Sequence, residues 1–185
     1  MARISKNSAI SIVRIALFAA IISVTAFVSV PFPVPLTFQT LGIFVSLFTL
    51  GGKRGAASVF LYVAIGAIGL PVFSGFTCGV GRLFDITGGF IVGFLLAALL
   101  YIPLSRLAKG LIGHLIVGSV CQILIYVAGV LGYVVFSGVS GTTVGVGAAI
   151  ISCVLPYIIP DFLKIFFAYL ISKRLRSIMN KGIKV

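Results

Sequence analysis

Glutamate and tryptophan are absent from this chain of 185 residues. Its only acids are Asp85 and Asp161, and its only histidine is His114. With so few proton carriers, and no nucleophile placed beside a base, hydrolytic and metal-dependent chemistry have almost no raw material. The three cysteines, Cys78, Cys121 and Cys153, lie far apart, with neither metal-ligand spacing nor a paired framework. Cys121 and Cys153 read as small apolar side chains. Gly51-Gly52-Lys53 lacks the strand context and the following Ser or Thr of a phosphate-binding loop, so the chain cannot be its own ATPase. Charge itself is scarce, at 9% of residues against roughly 25% in ordinary soluble domains.

Apolar residues take the place of charge. They make up 61% of the chain, and the mean hydropathy is +1.31. A spanning helix needs about 20 mostly apolar residues, so the length allows about six spans and leaves no room for a second, soluble domain. The expectation is one all-α integral membrane domain over residues 1–185, a six-transmembrane-helix bundle with both termini cytoplasmic. The spans are placed at residues 15–30, 38–50, 56–70, 88–104, 111–136 and 146–171. The basic start and apolar first stretch resemble a signal peptide, but further spans follow at once, and the segment is read as a retained first helix. The first span stops at Pro31-Phe32-Pro33-Val34-Pro35, where alternate prolines favour extended backbone. Gly51-Gly52-Lys53-Arg54-Gly55 reads as a tight basic turn, and Thr87 as the cap of the fourth span. Spans two and three look short, as if tilted or begun by irregular backbone shielded by protein. The helices are apolar all round, no internal repeat is visible, and the chain is too short for two inverted transporter halves.

The net charge of +12 invites a nucleic-acid reading, but the basic residues form no single patch or stripe. They fall in small groups between the apolar runs: Arg3, Lys6 and Arg14; Lys53 and Arg54; Arg106 and Lys109; and Lys173, Arg174, Arg176, Lys181 and Lys184. With six spans and a cytoplasmic N-terminus, all of the 14 basic residues except Arg82 and Lys164 fall on the cytoplasmic side. This is the positive-inside pattern of a multi-pass membrane protein. Nucleic acid is not expected as a partner; the lipid bilayer is.

The two exceptions mark the candidate site. Asp161 and Lys164 stand alone in an otherwise uncharged run at 145–172, and three-residue spacing makes them neighbours on one helical face. An ion in hydrocarbon costs about 2.5–3.5 kcal/mol on insertion scales. Two such residues are either a salt bridge tying span six to the bundle or a polar ligand site. Pro156 and Pro160 just before them are expected to kink the helix and free carbonyls nearby. Arg82 and Asp85 lie in a Gly-rich external segment that is either a flexible loop or a lid. Thr37-Phe38-Gln39-Thr40 opens span two on the same side, and Gln122 and Tyr126 are four apart on one face of span five. His114, near the cytoplasmic end of span five, reads as a headgroup-facing side chain. Ala16 with Ala20, and Ala19 with Ser23, make small-xxx-small pairs in span one, suited to packing within the bundle or against another protein.

Several segments together resemble the BioY family, the biotin-specific substrate-binding (S) components of energy-coupling-factor transporters. They are Val34-Pro35-Leu36-Thr37-Phe38-Gln39-Thr40-Leu41-Gly42; Gly66-Ala67-Ile68-Gly69-Leu70-Pro71-Val72-Phe73-Ser74-Gly75; Thr87-Gly88-Gly89-Phe90 with Gly93-Phe94; and Pro160-Asp161 with Lys164. The resemblance covers most of the chain, in order. Arg82-Leu83-Phe84-Asp85-Ile86 departs from it in carrying charge. The resemblance implies biotin binding from outside and uptake across a prokaryotic cytoplasmic membrane. It also implies a complex with a transmembrane coupling subunit and two ABC-type ATPase subunits, docked through Ala16 and Ala20. No cofactor is expected, biotin being the transported ligand, and the protein is not expected to be an enzyme. Biotin carries a urea with two N–H donors and one acceptor, an apolar bicycle and a carboxylate. On this reading Asp161 takes the urea, Lys164, Arg82 or both take the carboxylate, Phe38, Phe73 and Tyr126 supply apolar walls, and Thr37, Gln39 and Gln122 supply hydrogen bonds. The alternative is an S component for another water-soluble vitamin; a cationic one such as thiamine is disfavoured by the absence of Trp and the two acids in all.

Overall fold

A computed structural model describes residues 6–30, 34–139, 141 and 143–181. The segment Pro31-Phe32-Pro33, the terminal cations Arg3 and Lys184, and Ser140 and Thr142 of the 137–144 loop lie outside the described residues. Six helical passes form one bundle: α1 (Lys6–Phe27), α2 (Gln39–Leu50), α3 (Gly52–Ile68), α4 (Gly88–Leu104), α5 (Gly110–Val139) and a broken sixth made of α6 (Val146–Cys153) and α7 (Ile158–Lys181). Three segments, Ser8–Phe27, Gly110–Val139 and Val146–Met179, are long and apolar enough to cross a membrane, and Gln39–Leu50 and Gly88–Leu104 are shorter apolar helices.

The chain turns its apolar residues both ways. Phe18, Ile22, Ile43, Phe44, Leu47, Phe48, Val59, Tyr62 and Ile125 are buried in the common core, while Val13, Leu17, Ile112, Ile123, Leu131, Ile159 and Phe162 are more than half exposed. Aliphatic side chains covering the outside of a packed bundle suit a hydrocarbon solvent rather than water. Helix approach is set by small residues. A Cβ on Gly132 of α5 would lie 2.6 Å from Gly89 Cα of α4, and one on Gly42 of α2 would lie 3.1 Å from Ile22 Cα of α1. Between α2 and α3, the buried hydroxyls of Ser46 and Ser58 bond to each other, and Ser58 also bonds to Gly55 O at 2.7 Å.

Several predicted boundaries move. Helix α1 begins earlier than residue 15 and ends at Phe27; a two-stranded antiparallel ladder follows, β1 (Ser29–Val30) on β2 (Leu36–Thr37), with Ser29 opposite Thr37 and Val30 opposite Leu36. This ladder is the irregular backbone before the 12-residue α2. Only Gly51, at φ 76°, makes the predicted basic turn; Lys53 and Arg54 already lie in α3. Thr87 makes no side-chain cap; the start of α4 is closed by backbone bonds, Gly88 N to Asp85 O at 2.7 Å and Phe90 N to Thr87 O at 3.1 Å. The sixth span is interrupted at a 3-10 turn, Leu155–Tyr157, which contains Pro156. Pro160 does not kink the helix as expected: it is the third residue of α7, where its missing N–H would have had no intrahelical partner anyway.

His114 corrects its prediction as well. It is buried at 3% exposure, not turned to the headgroups. Its Nδ1 lies 2.6 Å from Gly110 O and its Nε2 3.2 Å from Arg176 Nη2, and its ring packs on Phe48 and Tyr169. Arg176 donates, so Nε2 accepts, which leaves the proton on Nδ1 to donate to the carbonyl. Arg14 Nη2 reaches Met179 O at 3.4 Å, so the beginning of α1 and the end of α7 lie at one end of the bundle.

Candidate ligand-binding site

At the end of the bundle where β1–β2 and the α3–α4 connection meet, a cavity with about 830 Å³ of empty space, its open mouth included, is walled by side chains from most of the bundle. Its polar wall is built around Asp161. Carboxylate Oδ1 accepts from Lys164 Nζ at 2.8 Å and Thr40 Oγ1 at 3.3 Å. Oδ2 accepts from Tyr126 Oη at 2.6 Å and Gln122 Nε2 at 3.0 Å. A carboxylate has about four lone-pair positions, so protein donors from α2, α5 and α7 occupy all of them. Lys164 Nζ also donates to Thr37 O at 2.7 Å. The charged pair is thus both a salt bridge and part of a cavity wall, with Asp161 at 5% and Lys164 at 7% exposure.

Chain geometry explains the convergence. Pro156 ends α6, and α7 restarts at Ile158, so Asp161 falls in the first turn of a new helix, where the positive end of the peptide dipole favours a carboxylate. The hydroxyl of Tyr157, in the break, donates to Val34 O beneath the ladder, and Lys164 holds the other end of the same connection at Thr37. Gln39 N bonds to Thr37 Oγ1 at 3.3 Å, and Gln39 Nε2 donates to Tyr62 Oη at 2.8 Å. Phe73 is buried at 2% exposure; it crosses Tyr62 edge-on at 5.7 Å and fits over Gly66, where any Cβ would collide with its ring.

Of the residues singled out in the sequence, Asp161, Lys164, Arg82, Thr37, Gln39, Phe73, Gln122 and Tyr126 all face this cavity. Phe38 does not. It lies between Thr37 and Gln39, both turned inward, and faces away at 45% exposure, with Lys164 Nζ 5.9 Å from its ring centroid. Tyr126 is a polar member of the wall through its bond to Asp161, not only an apolar one. Arg82 is in a 3-10 turn, Val80–Phe84, and is paired to Asp85 three residues on; both are roughly one-third exposed at the side chain. Sequence reasoning missed Phe90 and Phe94 of α4, which face the cavity with Ile91 and Ile125. Their four-residue spacing beside Gly89 and Gly93 was the available signal. Tyr157 and Cys153 were also missed, hidden in an apolar run with no periodicity. Ala16 and Ala20 are exposed on α1, whereas Ala19 is buried, so the two small-residue pairs face opposite ways.

On the far side of Asp161, Gln122 and Tyr126, a second, almost wholly apolar hollow opens between α5 and α6–α7, lined by Ile123, Val127, Val130, Ile150, Ile158 and Phe162. The hydrogen-bonded cluster is the partition between that hollow and the polar cavity. Among the described residues no group of three His, Cys, Asp or Glu side chains is placed to hold a metal ion.

The BioY family model matches residues 2–181. The chain belongs to the BioY family. It is 36% identical over 164 residues to a probable biotin transporter BioY of Pyrococcus horikoshii, covering 88% of this chain and 94% of that one. It is 34% identical over 170 residues to the biotin transporter BioY of Thermotoga maritima, covering 90% and 96%. Among solved structures, the S-component for biotin from an ECF-type ABC transporter superposes with a TM-score of 0.82 at 26% identity, over 95% of both chains. The all-α bundle inferred from composition is therefore a BioY bundle, and the family is one of transporters.

Proposed function

We propose that this protein binds biotin in the cavity around Asp161 and takes it up as the substrate-specific S component of an energy-coupling-factor transporter. The observation that carries this reading is the buried Asp161–Lys164 pair set in the wall of a cavity that also holds Arg82 and an aromatic lining, in a chain of the BioY family. Phe73, Phe90 and Phe94 provide apolar surface for the bicyclic ring. The site's four charges, Asp161, Lys164, Arg82 and Asp85, sum to zero, so the ligand carboxylate needs a cation to be released to it. The buried pair separates only at high cost, whereas exposed pairs are worth about 0–1 kcal/mol. Asp85 can therefore turn to water and free Arg82, which we assign to the carboxylate. Lys164 stays with Asp161 as its counter-ion and anchors Thr37.

The whole chain acts as one membrane domain in the cytoplasmic membrane of a prokaryote. The basic clusters put both termini on the cytoplasmic face, and the cavity then opens outward. The uptake cycle uses a transmembrane coupling subunit and two ABC ATPases, with the exposed Ala16–Ala20 surface of α1 as the docking face for the coupling subunit. Another water-soluble vitamin is the reading that a binding screen on the detergent-solubilised protein excludes: biotin binds, and thiamine and riboflavin do not. In the same assay Arg82→Ala weakens biotin about 10- to 100-fold, the range for losing a charge-assisted bond, but changes binding of biotin methyl ester less than about threefold. Failure of the wild type to bind biotin while another vitamin binds overturns the assignment.

A further inference from the structure

The apolar hollow between α5 and the broken sixth span has no part in biotin binding as read above. It holds about 1240 Å³ of empty space, its open side included. Wall atoms that face a void forfeit their dispersion contacts, so packed proteins do not leave such spaces empty. We propose that the hollow is a lipid site: one acyl chain of a bilayer phospholipid enters it from the side and backs the partition that carries Asp161, Gln122 and Tyr126. Occupancy of the hollow is independent of the biotin reading; its effect on the ligand cavity rests on that reading.

Water does not suit this space. A buried water needs two to four polar partners, and the wall is apolar except for Ser119 and the partition, where Asp161 Oδ2 already accepts from Tyr126 and Gln122. A helix of a second protein does not suit it either. Helices approach closely in lipid through small residues, and among the described residues that line the hollow Ser119 alone is small. The exposed small pair, Ala16 and Ala20, is on α1, which packs mainly on α2 and α3. The hollow belongs to α5, α6 and α7, so it stays open to the bilayer with a partner seated on α1. An acyl chain matches in direction and length. The wall follows α5 from Ser119 to Leu131, about 18 Å of helix, against about 15 Å for half of the hydrocarbon core. Both flanking segments, Gly110–Val139 and Val146–Met179, are long and apolar enough to span.

Gln122, Tyr126 and Asp161 line both spaces, so the occupant of the hollow sets the medium behind the buried pair. Hydrocarbon there strengthens the hydrogen bonds of Asp161 and keeps water from competing for them. The polar wall of the ligand cavity is stiffened, and by linkage chain occupancy and biotin affinity rise together.

The test uses phosphatidylcholine vesicles containing a phosphatidylcholine with a diazirine midway along one chain. On photolysis Ile123, Val127, Ile150 and Phe162 are expected to be labelled about three- to tenfold more than Val13 and Leu17, equally exposed aliphatic residues of α1. Val127→Trp and Ile150→Trp fill the hollow, and neither position lines the ligand cavity; each should bring labelling of the remaining wall down to the α1 level. Wild-type labelling equal to that of α1, or labelling unchanged in a folded Trp variant, leaves only ordinary annular lipid and overturns the site. Wild-type dimers that become monomers in the Trp variants overturn it in favour of a second copy. If neither variant folds, the wild-type pattern decides. For the coupling, Ile150→Gln, which puts an amide on the wall, should lose the labelling and weaken biotin about three- to tenfold, whereas Ile150→Trp, whose indole replaces the chain, should stay within about twofold of wild type. Equal biotin affinities in the two variants overturn the coupling. Wild type that binds no biotin overturns the biotin reading instead, and the labelling pattern still decides the lipid site.

Discussion

Removing either member of the buried pair should not cost the same, and the asymmetry can be worked from the contacts. In Asp161→Ala the Lys164 ammonium keeps one acceptor, Thr37 O at 2.7 Å, and remains a buried cation with no counter-charge; Gln122 Nε2, Tyr126 Oη and Thr40 Oγ1 lose their shared acceptor as well. Breaking a buried pair in this way costs about 3–5 kcal/mol. In Lys164→Met the carboxylate still has three of its four donors, so the expected loss is about 1–3 kcal/mol, in the range of a hydrogen bond to a charged group. The double variant removes both ions and substitutes apolar volume, so it should be more stable than Asp161→Ala alone, with a coupling of about 1–3 kcal/mol between the sites. Reversible unfolding in mixed detergent micelles measures all four proteins. Equal losses for the two single variants, or a double variant whose loss is their sum, would refute the claim that Asp161 is the hub and Lys164 its dependant. Biotin binding should vanish in Asp161→Ala and stay absent in the double variant even as stability returns.

Two further expectations test the packing and the outer surface. Gly132→Val puts its Cβ 2.6 Å from Gly89 Cα, forcing α4 and α5 apart; a loss of about 1–3 kcal/mol, typical of overpacking, should appear in the same unfolding assay, with weaker biotin binding because Phe90 and Gln122 sit on the two displaced helices. The Ala16→Leu, Ala20→Leu variant changes two exposed positions of α1; it should bind biotin within about twofold of wild type but fail to copurify with the coupling subunit, and retained copurification would remove α1 as the docking face.

Composition made the class of fold legible because a chain this poor in charge has few other solvents available to it. The same scarcity exposed the site: in a 28-residue apolar stretch at 145–172, two ions stand out without any alignment. Gln122 and Tyr126 were found from helical spacing alone, since four residues make one turn. The partners of the site were harder to see. Ser74 carries an ordinary side chain that joins the cavity wall only in three dimensions, and Phe90, Phe94 and Tyr157 are apolar residues among many. His114 was misread because its burial depends on Phe48, Tyr169 and Arg176, none of them near it in sequence. Phe38 was misread because the face a side chain takes at a strand-to-helix junction follows from the turn, not from residue type.

The broken sixth span ties these local facts together. Non-helical backbone at membrane depth is tolerated only where protein covers it or it lines a cavity, and the 3-10 turn Leu155–Tyr157 meets that condition because Tyr157 reaches back to Val34 and closes the wall beneath the β1–β2 ladder. Had α6 and α7 been continuous, Asp161 would sit in mid-helix, away from any free helix end, and would have only its hydrogen-bond partners and Lys164 to stabilise its charge. The break instead gives it the first turn of α7, with a favourable dipole worth up to about 2 kcal/mol in partly buried geometry, beside three donors from α2 and α5. Pro156 is therefore part of the electrostatics of the site, although it contacts neither charge. The position of Pro160, a turn later and harmless in α7, shows that it is the location of the break that matters to the site, and not the number of prolines near it.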